Sequence, residues 1–275
     1  AEFADLYGKL RAAGLHPVVV KGQLCSRLYP LRDQRISADD DLFIPEGEFF
    51  VCHEALLANG LTTDTPADEL PTADEVSYTK KDSPLYIELH RHLFDSAQDA
   101  HDELNHFFAD IAPVEVDGFL TMPPHEHLLY LILHAYKHFV RSGIGLRQFC
   151  DMARAYHTLC GSYSPEGLEA VYRRTGLLRW SAQLHTFLTE YLGLHRAELP
   201  YADTDACSSP ELLRIVLEGG NFGQYGGTKG KASQARWERK LRTFLSFWKH
   251  RGFSSAYARK EAFWISVRLI IGNLR

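Results

Sequence analysis

The 275-residue chain predicts an α+β protein: a mixed sheet with flanking helices, followed by an all-helical half. Three observations predict it. Before residue 122 the apolar residues come in short β-branched or aromatic runs broken by Gly and Pro. Two pairs of these runs are joined by tight-turn residues, as in hairpins. After Pro123-Pro124 the apolar residues recur at helical spacing almost to the end. The domains are therefore expected at 1–122 and 123–275.

Each element has its own signal. Phe3, Leu6, Tyr7 and Leu10 share one helical face, so a helix runs to about residue 14, where Gly14 stops it. His16 to Val20 is a buried strand; Gly22 follows, then a short helix through Leu24 and Leu28 to Tyr29, closed by Pro30. Asp40 to Ile44 is a second strand, ended by Pro45, and Glu46 to Asn59 is a helix stopped by Gly60. The stretch from Asp64 to Glu75 is acidic, holds two prolines and reads as a loop. Val76 to Lys80 and Leu85 to His90 flank the turn Lys81-Asp82-Ser83-Pro84. A second hairpin joins Val114–Val116 to Phe119–Thr121 through Asp117-Gly118. Helices are then expected at 125–141, 146–160, 165–175, 178–192, 210–218, 231–250 and 254–272, with an irregular glycine-rich run at 219–227.

Composition excludes several classes. With 45% hydrophobic and 24% charged residues the chain can bury a core, so it is no disordered tail or collagen-like fibre. Five scattered cysteines without a CxxC pair read as reduced thiols rather than a disulfide scaffold. No stretch is long and apolar enough for a membrane-spanning helix, and no signal-peptide pattern stands at the N-terminus. A cytoplasmic location is expected. The net charge of -5 is unevenly spread. Residues 229–275 carry 12 Lys or Arg against two acids, and the rest carry 18 against 33. An acidic body and a basic tail of that kind do different jobs or bind each other.

The most informative segment is Arg35-Ile36-Ser37-Ala38-Asp39-Asp40-Asp41-Leu42-Phe43-Ile44. Strand alternation puts Asp39 and Asp41 on one face, about 6–7 Å apart, a spacing that can hold one or two Mg²⁺ ions. Asp40 points the other way and is given no metal role. Glu88, in Leu85-Tyr86-Ile87-Glu88-Leu89-His90, lies between apolar residues on another strand. An acid there is costly unless paired or coordinated. Upstream, Val18-Val19-Val20-Lys21-Gly22 is a strand running into a glycine turn and a helix, where backbone N–H groups can meet phosphate.

In this order the segments resemble the polymerase-β-type nucleotidyltransferase superfamily, most closely its uncharacterised bacterial branch. The carriers are Val20-Lys21-Gly22, Leu28-Tyr29-Pro30, Arg35-x-Ser37-x-Asp39-x-Asp41-Leu42 and Ile87-Glu88-Leu89-His90. The order continues through Pro124-x-Glu126, Leu128-Leu129, His134-Ala135, Lys137-His138 and Gly145-Leu146-Arg147-x-Phe149-x-Asp151. The resemblance spans roughly residues 16–155. It departs from the superfamily's pattern in Gly22-Gln23 where Gly-Ser or Gly-Gly is usual, in Ala38 where glycine is common, and in Glu88 where the third acid is usually Asp.

The resemblance implies a nucleotidyltransferase-type sheet domain and transfer of an NMP group from an NTP to an acceptor hydroxyl, with release of pyrophosphate. Asp39, Asp41 and Glu88 would be catalytic and would hold Mg²⁺ or Mn²⁺. Lys21, Gly22, Arg35, Ser37, Lys137 and His138 would serve the nucleotide, although Arg35 and Ser37 could equally hold the loop. A non-catalytic nucleotide- or partner-binding protein on the same fold is the first alternative. A zinc hydrolase is a lesser one, since eight histidines fall between His90 and His138. His134 and His138 have the spacing of a zinc pair, but no HExxH frame is present. The basic tail, with Trp237, Phe244, Trp248 and Trp264 among its apolar positions, is read first as packing on the body. A protein partner or an anionic surface comes next and nucleic acid last.

Overall fold

The structure is a computed structural model, in which residues 2–35, 37, 39–94, 101–141, 144–201, 210–219, 252, 256, 257 and 259 are described, the side chains of 101–103, 140, 141 and 219 excepted. The chain runs α1 (Glu2–Ala12), β1 (Val18–Val19), α2 (Gln23–Ser26), β2 (Asp40–Phe43), α3 (Phe49–Ala58), β3 (Leu61–Thr62), β4 (Glu75–Lys80), β5 (Tyr86–His90), α4 (His101–Ala109), β6 (Val114–Val116) and β7 (Phe119–Thr121). It continues with α5 (Pro124–Arg141), α6 (Leu146–Thr158), α7 (Pro165–Thr175), α8 (Leu178–Leu192) and α9 (Pro210–Gly219). Two compact units divide within α5: residues 1–96 with 100–127, and residues 97–99 with 128–275.

The first unit is a seven-stranded mixed sheet in the order β3-β4-β5-β2-β1-β7-β6. The α+β class expected from the sequence is what the chain adopts. The central pair, β2 and β5, runs parallel, with Asp41 opposite Glu88 and Leu42 opposite Leu89. β1 is antiparallel to β2 and parallel to β7. Alternation then sorts the two faces. Leu42, Leu89, Ile87, Val76 and Tyr78 join Phe3, Leu6, Tyr7 and Leu10 of α1 and Phe49, Cys52 and Leu56 of α3 in one core. Asp41, Glu88, His90, Glu75 and Ser77 fall on the other face by the same registers. Tyr7 ties the layers: its hydroxyl donates to the Pro17 carbonyl at 2.8 Å and accepts from the Leu120 N–H at 2.9 Å.

The structure differs from the expected elements in several places: the helix expected through Leu28 to Tyr29 ends at Ser26, and the one expected from Glu46 opens as a 3₁₀ turn, Glu46–Glu48, before α3. The first strand is only Val18–Val19; the Val20 N–H still bonds the Asp41 carbonyl before the chain turns at Lys21-Gly22. The acidic stretch 64–75 contains a short 3₁₀ turn, Leu70–Thr72, and is preceded by the edge strand β3. The buried Arg91 pins that stretch to the end of β5, donating to the carbonyls of Pro71 at 2.9 Å and Leu70 at 2.8 Å. Helix α4 carries too narrow an apolar stripe for the sequence to announce it; Leu104 and Phe108 are buried, and Asn105 bonds both backbone groups of Phe94.

The second unit is helical. Its helices are built from apolar faces: Trp180 of α8 packs its ring on Tyr136 and Phe139 of α5, and Phe187 of α8 meets Phe149 of α6 at 4.4 Å between centroids. α7 starts at Ser164, whose hydroxyl accepts from the Gly167 N–H, and ends at Gly176 in the left-handed conformation. Among the described residues no helix is long and apolar enough to cross a membrane. The helix expected at 231–250 lies outside the described residues. So do the glycine-rich run from residue 220 on and, save for positions 256, 257 and 259, the helix expected at 254–272.

Candidate active site

The site is built where β1 and β2 lie side by side and the chain turns at Gly22. Gly22 has φ +69°, and a Cβ there would stand 2.3 Å from Asp40 Oδ1 and 2.7 Å from the Asp39 carbonyl. Only glycine fits this close approach. Asp40, buried and facing away from Asp41, accepts a hydrogen bond from the Gln23 N–H at 2.9 Å. It holds the turn rather than a metal. Burial pushes its carboxyl up to about 6, against the pull of that N–H.

Arg35 and Ser37 brace the same loop. The buried guanidinium donates to the Gly22 carbonyl at 2.9 Å and to Ser37 Oγ at 3.0 Å, and Ser37 Oγ donates to the Asp39 carbonyl at 2.6 Å. The chain of bonds links the Gly22 turn to the segment that carries Asp39. Of the two roles open to Arg35 and Ser37 in the sequence, holding the loop is the one visible in these contacts.

Lys21 is the inner cation. Its Nζ lies 3.2 Å from Asp39 Oδ2, 3.0 Å from Asp41 Oδ2 and 3.3 Å from Asp41 Oδ1. Burial pulls this ammonium down, but Asp41, Asp39 and Glu88 together hold it above its ordinary range. It is therefore charged at neutral pH, and it stands among the acids rather than out toward solvent.

Asp41 is fully buried, and Glu88 is its register partner on β5. Burial, then the charges of Asp41 and Glu75, push the Glu88 carboxyl up to about 9, against the opposing pull of Lys21. The sign for stability follows. Between about 4.5, its usual value, and about 9 the unfolded chain has released a proton that the folded chain keeps. Stability therefore falls as pH rises through that window. Glu88→Gln should stabilise the protein in metal-free buffer, and by more at pH 8 than at pH 5. Urea unfolding at the two pH values checks this; a gain that shrinks as pH rises would contradict it.

His90 completes the cluster. In the sequence it stands in the motif Ile87-Glu88-Leu89-His90 and among the histidines of the zinc alternative, without a ligand role in the transferase reading; it sits two residues beyond Glu88 on the same face. One ligand atom each from Asp41, Glu88 and His90 lies within 4.8 Å of the others. Among the described residues this is the one group of three or more His, Cys, Asp or Glu side chains so arranged. Such a mixed oxygen and nitrogen set fits a divalent cation. Asp39, expected beside Asp41 as a ligand, precedes β2 and is not one of the three; its Oδ2 pairs with Lys21 at 3.2 Å and its buried Oδ1 has no hydrogen-bond partner. Glu75, read in the sequence as the end of a loop, opens β4 and places Oε2 3.6 Å from His90 Nδ1.

Lys137 and His138 lie on α5, in the second unit. His138 Nε2 meets His134 Nε2 at 2.9 Å, and the Tyr130 hydroxyl meets His134 Nδ1 at 3.2 Å. The pair with zinc spacing is thus bonded to itself. His92 bonds Asp74 at 2.8 Å.

Residues 1–193 match a protein family described as uncharacterised nucleotidyltransferase. The matched region contains the sheet, the Gly22 turn and every acid described above. The chain belongs to this family of nucleotidyltransferases. No curated protein and no solved structure matches it.

Proposed function

We propose that the protein transfers an NMP group from an NTP to an acceptor hydroxyl in a metal-dependent reaction. The observation that carries this reading is the parallel register of Asp41 with Glu88, which gathers acids on one sheet face beside the Gly22 turn. Family membership supplies the reaction class. A site that keeps Asp39, Asp41, Glu88 and His90 together bears a folding cost that a purely structural sheet would not need.

In this reading Asp39, Asp41 and Glu88 hold the cation, with Lys21 as the charge that balances them in its absence. The cation supplies Lewis-acid activation of the phosphate and of the attacking hydroxyl. The Gly22 turn, fixed by Asp40, Arg35 and Ser37, would offer the Gly22 N–H to the phosphate chain, the Gln23 N–H being held by Asp40. The acceptor oxygen forms a bond to the α-phosphorus, and the bond from that phosphorus to pyrophosphate breaks. Burial and the neighbouring acids favour the protonated form of Glu88 while the site holds no cation; with the cation bound its carboxylate would be ionised and would take the acceptor's proton.

The test is a screen of the four NTPs, each labelled at the α-phosphate, against cell extract with Mg²⁺ or Mn²⁺. Label carried onto an extract component by one or more NTPs is the expected result. Nucleotide binding without transfer to any component would favour the non-catalytic alternative.

A further inference from the structure

His90 is 2% exposed, and neither of its ring nitrogens has a hydrogen-bond partner. Its contacts with Asp41 Oδ1 at 3.4 Å and Glu75 Oε2 at 3.6 Å lack hydrogen-bond geometry. A buried imidazole ordinarily satisfies at least one nitrogen. His53 of the same sheet unit does so, with Nδ1 2.7 Å from the Tyr78 hydroxyl. Packing alone does not account for the difference. Val76 and Leu89, on the core face of the same strands, show what apolar burial looks like here. On the site face the chain instead spends a buried, unsatisfied ring two residues from Glu88 and beside Asp41.

The position is fixed by the sheet. β5 alternation sets Glu88 and His90 on one face, and the register with β2 brings Asp41 level with Glu88. Resting on the transfer reading above, we infer that His90 is a nitrogen ligand of the cation held by Asp41 and Glu88. The site then takes a first-row transition ion in preference to Mg²⁺. Imidazole adds little to Mg²⁺, which prefers oxygen ligands and keeps its waters, adds modestly to Mn²⁺, and adds increasingly to the later ions toward Zn²⁺. Lys21 Nζ lies 3.3 Å from the same Asp41 oxygen that His90 faces, so ion and ammonium compete for it.

The test uses the full chain with Mn²⁺ alone and pulsed EPR, which reads nitrogen directly bound to the ion. The expected result is a ¹⁴N coupling of bound imidazole in the wild-type protein that is absent in His90→Gln. His90→Gln should also weaken Mn²⁺ binding roughly tenfold or more, since even groups outside the ligand shell cost that much. The preference for Mn²⁺ over Mg²⁺, measured by competition, should collapse with it. Bound Mn²⁺ without nitrogen coupling in the wild type would overturn the inference. If that binding is nevertheless lost in Asp41→Asn, the carboxylate site of the transfer reading stands. Nitrogen coupling that persists in His90→Gln would also overturn it. Failure of the wild type to bind Mn²⁺ alone would overturn the inference, while label transfer from an NTP that requires Mg²⁺ or Mn²⁺ would still uphold the metal-dependent reading.

Discussion

Asp41→Asn should reduce nucleotidyl transfer by about a thousandfold or more while leaving the fold in place. The size follows from the several kcal/mol that a bound cation contributes to transition-state charge. Asp41 is the hub of the site: it faces Glu88 across the sheet, Lys21 at 3.0 Å and His90 at 3.4 Å. Asn keeps the shape and removes the charge. The fold tolerates this because the same change relieves Glu88 of the repulsion that helps push its carboxyl up. Lys21 keeps Asp39 as a partner. Transfer rates together with far-UV circular dichroism check the point. Wild-type turnover in Asp41→Asn would remove Asp41 from the chemistry.

Lys21→Met should be the more damaging change for stability. It leaves Asp39 and Asp41 facing Glu88 with their internal cation gone. Removing one partner of a buried pair costs about 3–5 kcal/mol, because the other charge stays buried without compensation. The loss should be larger at pH 8 than at pH 5, since protonation of the stranded acids relieves them as pH falls. Divalent cation should recover part of it, because a bound ion takes over the ammonium's role. Urea midpoints with and without Mn²⁺ measure all three. A loss under about 1 kcal/mol, within the range of surface pairs, would show that Lys21 does not neutralise the site.

Much of this was legible in the sequence. Strand alternation found Asp41 and Glu88, and the apolar runs around them found β2 and β5. The glycine turn at Gly22 was legible because few residues survive that close an approach. What was not legible depended on register, which no single strand carries. Only the pairing of β2 with β5 makes Asp41 and Glu88 neighbours, and only the pairing of β4 with β5 sets Glu75 against His90. His90 could have been found from its spacing two residues beyond Glu88, but histidines are common enough in this stretch to dilute the signal. Asp40 looked like a bystander because alternation turns it away from the acids. Its work is on the other side, where it bonds the backbone of Gln23. The position of Lys21 among the acids, rather than out toward a phosphate, reflects burial that composition cannot report.

The transfer reading requires that the α-phosphorus of an NTP, carried in its NMP group, becomes bonded to the acceptor oxygen. The most direct measurement gives the protein one NTP labelled at the α-phosphate and the same NTP labelled at the γ-phosphate, in parallel, with its acceptor and Mn²⁺. The expected result is α-label on the acceptor and γ-label in pyrophosphate, with both lost in Asp41→Asn. Label from the γ-phosphate on the acceptor would contradict it.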